Sequence, residues 1–219
     1  MLWFLAALLM TACGGCSAID DNFFRIDEDR IGFVIADVSG KGVPAAIFMA
    51  VSRTLIRATG IRGVVPSECI TYSNELLAKE SANFMFVTVF YGIYNIKTGE
   101  VTYTNAGHNP PYLMKADGTI EQLPLSKDIV VGALDDFQFS EETLQLEHGD
   151  TLLLYTDGVT EAINVNNEEF GEKRLEDTLK DVAHQNCQQI IDAVKENVSS
   201  FAGEAEQSDD ITLLAIKRL

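Results

Sequence analysis

Positive charge is scarce in this chain: 16 Lys and Arg stand against 33 Asp and Glu over 219 residues, a formal net charge of −17. So acidic a surface repels phosphate backbones and anionic headgroups, which excludes nucleic acid and a charged membrane surface as partners. Cysteine is scarcer still, with only Cys13, Cys16, Cys69 and Cys187. Without a second C-x-x-C these make neither a disulfide scaffold nor a zinc site, so a reducing, cytoplasmic compartment is expected. Long apolar runs are missing too. The apolar start at residues 2–10 is nine residues long, where a membrane-spanning helix needs roughly 20. The first basic residue is Arg25, so the positive n-region of a secretory signal is lacking. No repeat and no Pro-, Gly- or Ser-rich linker divides the chain, which favours one domain.

What is present is globular in character, 47% hydrophobic and 22% charged. "RIGFVIADV" at residues 30–38 is an apolar run ending near an aspartate, a buried strand. Pro44 suits a first helical turn, and "AAIFMAVSRTLIRA" at 45–58 continues as a helix. "SECITYSNELLAKES" at 67–81 predicts a second helix with Ser67 as its N-cap. The texture then changes. "FMFVTVFYGIYN" at 84–95 and "EVTYTNAG" at 100–107 are rich in β-branched and aromatic residues around a turn. Residues 108–123 read as a hairpin with Asp117-Gly118 at its tip, and 141–158 as two strands joined by His148-Gly149-Asp150. Two amphipathic helices follow at 171–184 and 186–201, then a last strand at 209–219. Helices and strands in separate runs predict an α+β fold with antiparallel sheets rather than a βαβ parallel sheet.

Three aspartate positions share a setting: Asp37, Asp157 and the pair Asp209–Asp210 lie at the ends of apolar strands. Carboxylates there face a desolvation cost that a divalent cation relieves, and hard oxygen ligands suit Mg²⁺ or Mn²⁺. Gly40, Gly42 and Gly158 would let the backbone approach a ligand closely. Each aspartate taken singly is equally an ordinary turn residue, and the two readings stay open on these residues alone. "DVSGKGVPAA" is not a phosphate loop, because Ile35 and Gly42 stand where glycine and Ser/Thr are required. A G-x-G-x-x-G reading fails at Ala45.

Five blocks in order carry a family resemblance: "IADVSGKGVPAAIFMA", "FVTVFYGIYNIKTGEVTYTNAGHNPPYL", "GDTLLLYTDGVTEAIN", "EEFGEKRL" and "QSDDITLLAIK". Together they resemble the SpoIIE/RsbU-type serine phosphatases of the metal-dependent PPM class, from about residue 23 to the C-terminus. The resemblance implies an α-β-β-α sandwich of two antiparallel sheets flanked by helices, with residues 23–219 as the phosphatase domain and 1–22 as an atypical lead-in. It implies two Mn²⁺ or Mg²⁺ ions, bridged by Asp37, with the Val38 carbonyl supporting one and Asp157 and Asp209 completing the first site. Catalysis would run through a metal-activated water rather than a side-chain nucleophile. Asp210 is expected in a turn or behind the ligands, and Lys41 as a phosphate contact or a solvated lysine. His108, in a tight Asn-His-Asn-Pro turn, is read as structural, with a catalytic base as the alternative that its hydrogen bonds decide. The implied substrate is a phosphorylated bacterial regulator of the STAS-type anti-sigma-factor antagonist class, and a homodimer is left open.

One block departs from the family. Ahead of Phe23-Phe24 the family shows G-G-D-x-Y-D, whose first aspartate serves the second metal, and here that block is replaced. Ile19 or Cys16 falls in the register of the aspartate, depending on the gap, while Asp20 and Asp21 lie nearby as substitute ligands. The strand that precedes the motif is missing or replaced by "MLWFLAALL". The expectation is therefore a truncated or misread N-terminus and a weakened second metal site. A catalytically impaired domain that still binds its partner is the rival to an active phosphatase. A third reading takes Met-Thr-Ala-Cys at 10–13 as a lipobox and anchors Cys13 to lipid.

Overall fold

The computed structural model describes residues 6–11, 22–80, 85–207 and 209–219. These residues form two compact units, one from 6–11, 109–124 and 146–219 and the other from 22–80, 85–108 and 125–145. Each unit is a five-stranded sheet with a helix pair, and every strand pairing is antiparallel. No helix among the described residues is long and apolar enough to cross a membrane.

The unit beginning at residue 22 contains β2 (Phe23–Arg25), β3 (Arg30–Val38), α1 (Val43–Gly60), α2 (Pro66–Glu80), β4 (Val87–Asn95), β5 (Glu100–Ala106) and β8 (Glu142–Gln145), with sheet order β2-β3-β4-β5-β8. Its strands are aromatic and β-branched, and two glycines make room for rings. Gly32 lies opposite Phe24, and Gly92 opposite Phe33. A Cβ at either glycine would come within 2.5 Å or 2.3 Å of the ring carbons, so the missing side chains are what seat the aromatics. Helices α1 and α2 cover this sheet through Ile56, Cys69, Ile70 and Leu77, which share a core with Val34, Val89 and Tyr91. α2 starts one residue earlier than the sequence predicts. Pro66 presets the first helical turn, and Ser67 is inside the helix, its hydroxyl directed to Glu141 Oε2 at 3.3 Å instead of capping.

The second unit contains β1 (Ala6–Thr11), β6 (Tyr112–Met114), β7 (Ile120–Gln122), β9 (Thr151–Tyr155), α3 (Gly171–Val182), α4 (Cys187–Ala202) and β10 (Thr212–Lys217), with sheet order β1-β10-β9-β6-β7. The apolar opening therefore supplies a strand, paired with β10 from Ala6 opposite Lys217 to Thr11 opposite Thr212. The hairpin tip is where the sequence puts it: Asp117 Oδ1 accepts the Thr119 N–H at 2.8 Å and Gly118 takes φ 91°. α4 opens with a reciprocal cap, Gln189 N–H to Asn186 Oδ1 at 3.0 Å and Asn186 N–H to Gln189 Oε1 at 3.2 Å. Leu175, Leu179, Ile190, Ile191 and Val194 turn inward onto Leu153, Tyr155, Leu213 and Ala215. Burying apolar side chains of this size stabilises by about 1.5–3 kcal/mol each, and the layer includes Tyr155 and Leu213, next to the turns that carry Asp157 and Asp209.

Candidate metal centre

In the second unit, β9 and β10 run antiparallel and bring Asp157 and Asp209 into neighbouring turns. Asp157 comes two residues after β9 ends, and Asp209 three residues before β10 begins. Thr156 fastens the two turns together. It is 1% exposed, its hydroxyl donates to the Asp210 carbonyl at 2.9 Å, and it accepts the Thr212 N–H at 2.9 Å. Its own N–H donates to the Thr212 carbonyl at 3.1 Å. Gly158 completes the fit, since a Cβ there would meet the Asp210 carbonyl oxygen at 2.5 Å. This revises the part expected of that glycine: the chain that comes close is the protein's own backbone. Gly40 and Gly42, at φ 89° and 85°, open onto free space.

Each aspartate is fixed by local bonds. The Asp157 carbonyl accepts Glu161 N–H at 2.7 Å and Thr160 Oγ1 at 3.2 Å, closing one turn. Asp209 Oδ1 accepts the Asp210 N–H at 2.8 Å, and its carbonyl accepts Gln207 Nε2 at 2.7 Å. Asp210 thus serves the turn, its carbonyl being held by Thr156. Glu161, which the sequence reading did not single out, belongs to the same group. Burial, then the negative charges of Asp157, Glu169 and Asp209, raise its carboxyl above the ordinary carboxylate value. The spacing of an aspartate and a glutamate four apart across a turn, in "TDGVTEA", was the available signal.

This concentration of hard oxygen donors with mutually unfavourable charges fits a divalent cation of the Mg²⁺ or Mn²⁺ kind, which would reverse the repulsion. Among the described residues, no three His, Cys, Asp or Glu side chains gather closely enough to form a complete metal-binding group. Asp20 and Asp21, and with them Cys13 and Cys16, lie outside the described residues.

Asp37 and Val38 are the last two residues of β3 in the other unit, where Asp37 pairs with Thr88 and Val38 with Val87. Lys41 is exposed in the turn that leads from β3 to α1. His108 is 1% exposed. Its N–H donates to Asn105 Oδ1 at 2.8 Å, its carbonyl accepts Asn105 Nδ2 at 3.0 Å, and its Nδ1 lies 2.9 Å from Thr88 Oγ1. Those bonds fit the structural reading of this histidine.

Comparison with known proteins bears on the same residues. The family model for Stage II sporulation protein E matches residues 27–219. Phosphoserine phosphatase RsbU of Bacillus subtilis is 31% identical over 202 residues, covering 91% of this chain and 59% of that protein. Protein IcfG of a Synechocystis strain is 30% identical over 223 residues, covering 89% of this chain and 35% of IcfG. The chain therefore spans between about a third and three-fifths of the length of these relatives. Among solved structures, the RsbU and RsbW domains of Rv1364c from Mycobacterium tuberculosis align with TM-score 0.78 at 27% identity, over 98% of this chain and 59% of that one. The SiaA-PP2C domain of Pseudomonas aeruginosa aligns with TM-score 0.80 at 22% identity, over 97% and 85%, a likeness of fold. With its α+β fold, its antiparallel sheets and a match to the family model from residue 27 to the last residue, the chain belongs to the SpoIIE family of PPM-type phosphatases.

Proposed function

We propose that this chain hydrolyses phosphoserine or phosphothreonine on a regulatory protein, with residues 23–219 as the phosphatase domain. The observation that carries the reading is the junction of Asp157 and Asp209 through Thr156 and Gly158, in a chain whose relative RsbU is a phosphoserine phosphatase. Asp157 and Asp209, and Asp37 with the Val38 carbonyl, are the residues we infer to be metal ligands. Mn²⁺ or Mg²⁺ bound there supplies a Lewis acid that acidifies water and neutralises charge on a phosphoryl group. The chain's own part is to fix the main chain that carries these carboxylates, which the strand-end hydrogen bonds do. Lys41, exposed in the turn after β3, would meet a phosphate oxygen as a point charge. Asp20 and Asp21 are the candidates for a second ion. One structural neighbour, RsbX, was solved in complex with magnesium, which supports a hard divalent cation.

The partner we infer is a phosphorylated regulator of the STAS-type anti-sigma-antagonist class, in a cytoplasmic setting that suits the few scattered cysteines. The second reading, a domain that binds this regulator without hydrolysing it, is favoured by the replaced G-G-D-x-Y-D block. Phosphate release from a phosphorylated STAS protein with Mn²⁺ tests both. Release abolished by Asp157→Asn supports the phosphatase, whereas equal inactivity of wild type and Asp157→Asn with retained regulator binding supports the binding domain.

A further inference from the structure

We propose that Thr88 and His108 are positioning residues for Asp37, holding the main chain that carries its carboxylate; the inference rests on Asp37 being a metal ligand. The β3–β4 register sets Thr88 directly across from Asp37. Thr88 Oγ1 lies 3.4 Å from the Asp37 carbonyl oxygen and 2.9 Å from His108 Nδ1. A hydroxyl has one proton. Both contacts are hydrogen bonds together in one arrangement only: Thr88 donates to the Asp37 carbonyl and accepts from a protonated His108 Nδ1. The geometry therefore assigns the tautomer of His108, in the way that a second partner orients a ligand in metal centres.

His108 is itself clamped. Asn105 bonds both its N–H and its carbonyl, at 2.8 and 3.0 Å, and Ser126 Oγ donates to the Asn105 carbonyl. Ser126 in turn accepts the Asp128 N–H at 3.0 Å. A series of fixed polar atoms thus runs from residues 126–128, through the turn after β5, to the end of β3. Asp37 lies close to that end: the last paired residue is Val38 opposite Val87. Beyond it Ser39 still bonds Phe86, its N–H donating to the Phe86 carbonyl at 2.9 Å and its hydroxyl accepting the Phe86 N–H at 3.0 Å. A strand terminus free to fray would carry its carboxylate out of position, and losing this kind of outer support typically costs about 10–100-fold in metal affinity. The arrangement gives a use to the threonine of "FVTVF" and the histidine of "NAGHNP" without either touching substrate.

Calorimetric Mn²⁺ titration of wild type, Thr88→Val, Thr88→Ser and Asp37→Asn tests it, together with ¹⁵N spectra of the metal-free wild type to read the His108 tautomer. We expect Nδ1–H in wild type, an affinity about tenfold weaker in Thr88→Val, and recovery in Thr88→Ser, which keeps the hydroxyl. Nε2–H at His108 in wild type overturns the proposal whatever the variants do. Wild-type affinity in Thr88→Val, with affinity lost in Asp37→Asn, also overturns it and leaves the ligand reading of Asp37 standing. Undiminished affinity in Asp37→Asn overturns the ligand reading and the inference with it.

Discussion

Thr156 and Asp210 are joined by a 2.9 Å hydrogen bond from hydroxyl to carbonyl, so the end of β9 and the approach to β10 move as one piece. The same oxygen takes the Thr212 N–H at 2.9 Å. Thr156→Val keeps the shape and removes both bonds, leaving the half-buried Thr212 N–H and the Asp210 carbonyl without that partner. We expect a loss of about 1–3 kcal/mol in unfolding free energy, read from urea denaturation, and weaker Mn²⁺ binding by calorimetry.

Gly158→Ala should act on the same junction by pushing rather than by letting go. Its Cβ would stand 2.5 Å from the Asp210 carbonyl oxygen and 2.9 Å from its carbon, both backbone atoms that no side-chain rotation can move aside. Overpacking of this kind costs about 1–3 kcal/mol. The thermal midpoint should fall, and Mn²⁺-dependent phosphate release should fall with it as Asp209 is displaced.

Asp150 is 2% exposed and holds a different corner. Its carboxylate accepts Ala116 N–H at 2.9 Å and Glu147 N–H at 3.0 Å, with Lys115 Nζ 3.7 Å away. Asp150→Ala would leave two backbone donors unmatched, and bonds to a charged group contribute about 1.5–3 kcal/mol each. Denaturant unfolding should show a loss at the upper end of single-substitution effects, while Asp150→Asn should lose less because it retains an acceptor oxygen.

The buried thiols predict the behaviour in alkali. Burial pushes Cys69 from its ordinary 9.0 up to about 12 and Cys187 up to about 11. Above pH 9.0 the unfolded chain's thiols ionise while the folded ones stay protonated, so the unfolded state binds fewer protons and stability falls as pH rises toward 12. Tyr155, raised by burial to about 12, adds to the same slope. The urea midpoint should drop across this range, and less steeply in Cys69→Ala. At neutral pH, peptide mapping after iodoacetamide should find Cys69 and Cys187 unmodified in the folded protein.

Most of the fold was legible because its strands and helices carry strong local signals. The alternation in "EVTYTNAG" became β5, and the apolar spacing of 186–201 became α4 with its Asn186–Gln189 cap. One helix start, that of α2, was less legible. Ser67 looked like a cap, yet the fixed φ of Pro66 begins the helix before it. β1 could not be read as a strand because an apolar run of that length fits a strand or a buried helix alike, and what selects the strand is β10, some two hundred residues further on. In the candidate site, Asp157 and Asp209 were visible as strand-end carboxylates. Thr156, Thr88 and Glu161 were not, since their significance lies in partners across a sheet or a turn. Gly158 was noticed for the right reason, a close approach, but the approaching atoms belong to Asp210.

The pairing of Ala6 with Lys217 has a consequence for biosynthesis. β1 is made well before β10, so one edge of a five-stranded sheet waits while the long stretch of chain between the two strands is made. Pairings this distant in sequence form slowly, and an apolar strand without its neighbour is the kind of segment that associates with other nascent chains. β1 thus depends on a strand made long after it, and conditions that slow synthesis of the chain between them or shorten β10 should lower the yield of folded protein before they affect its chemistry.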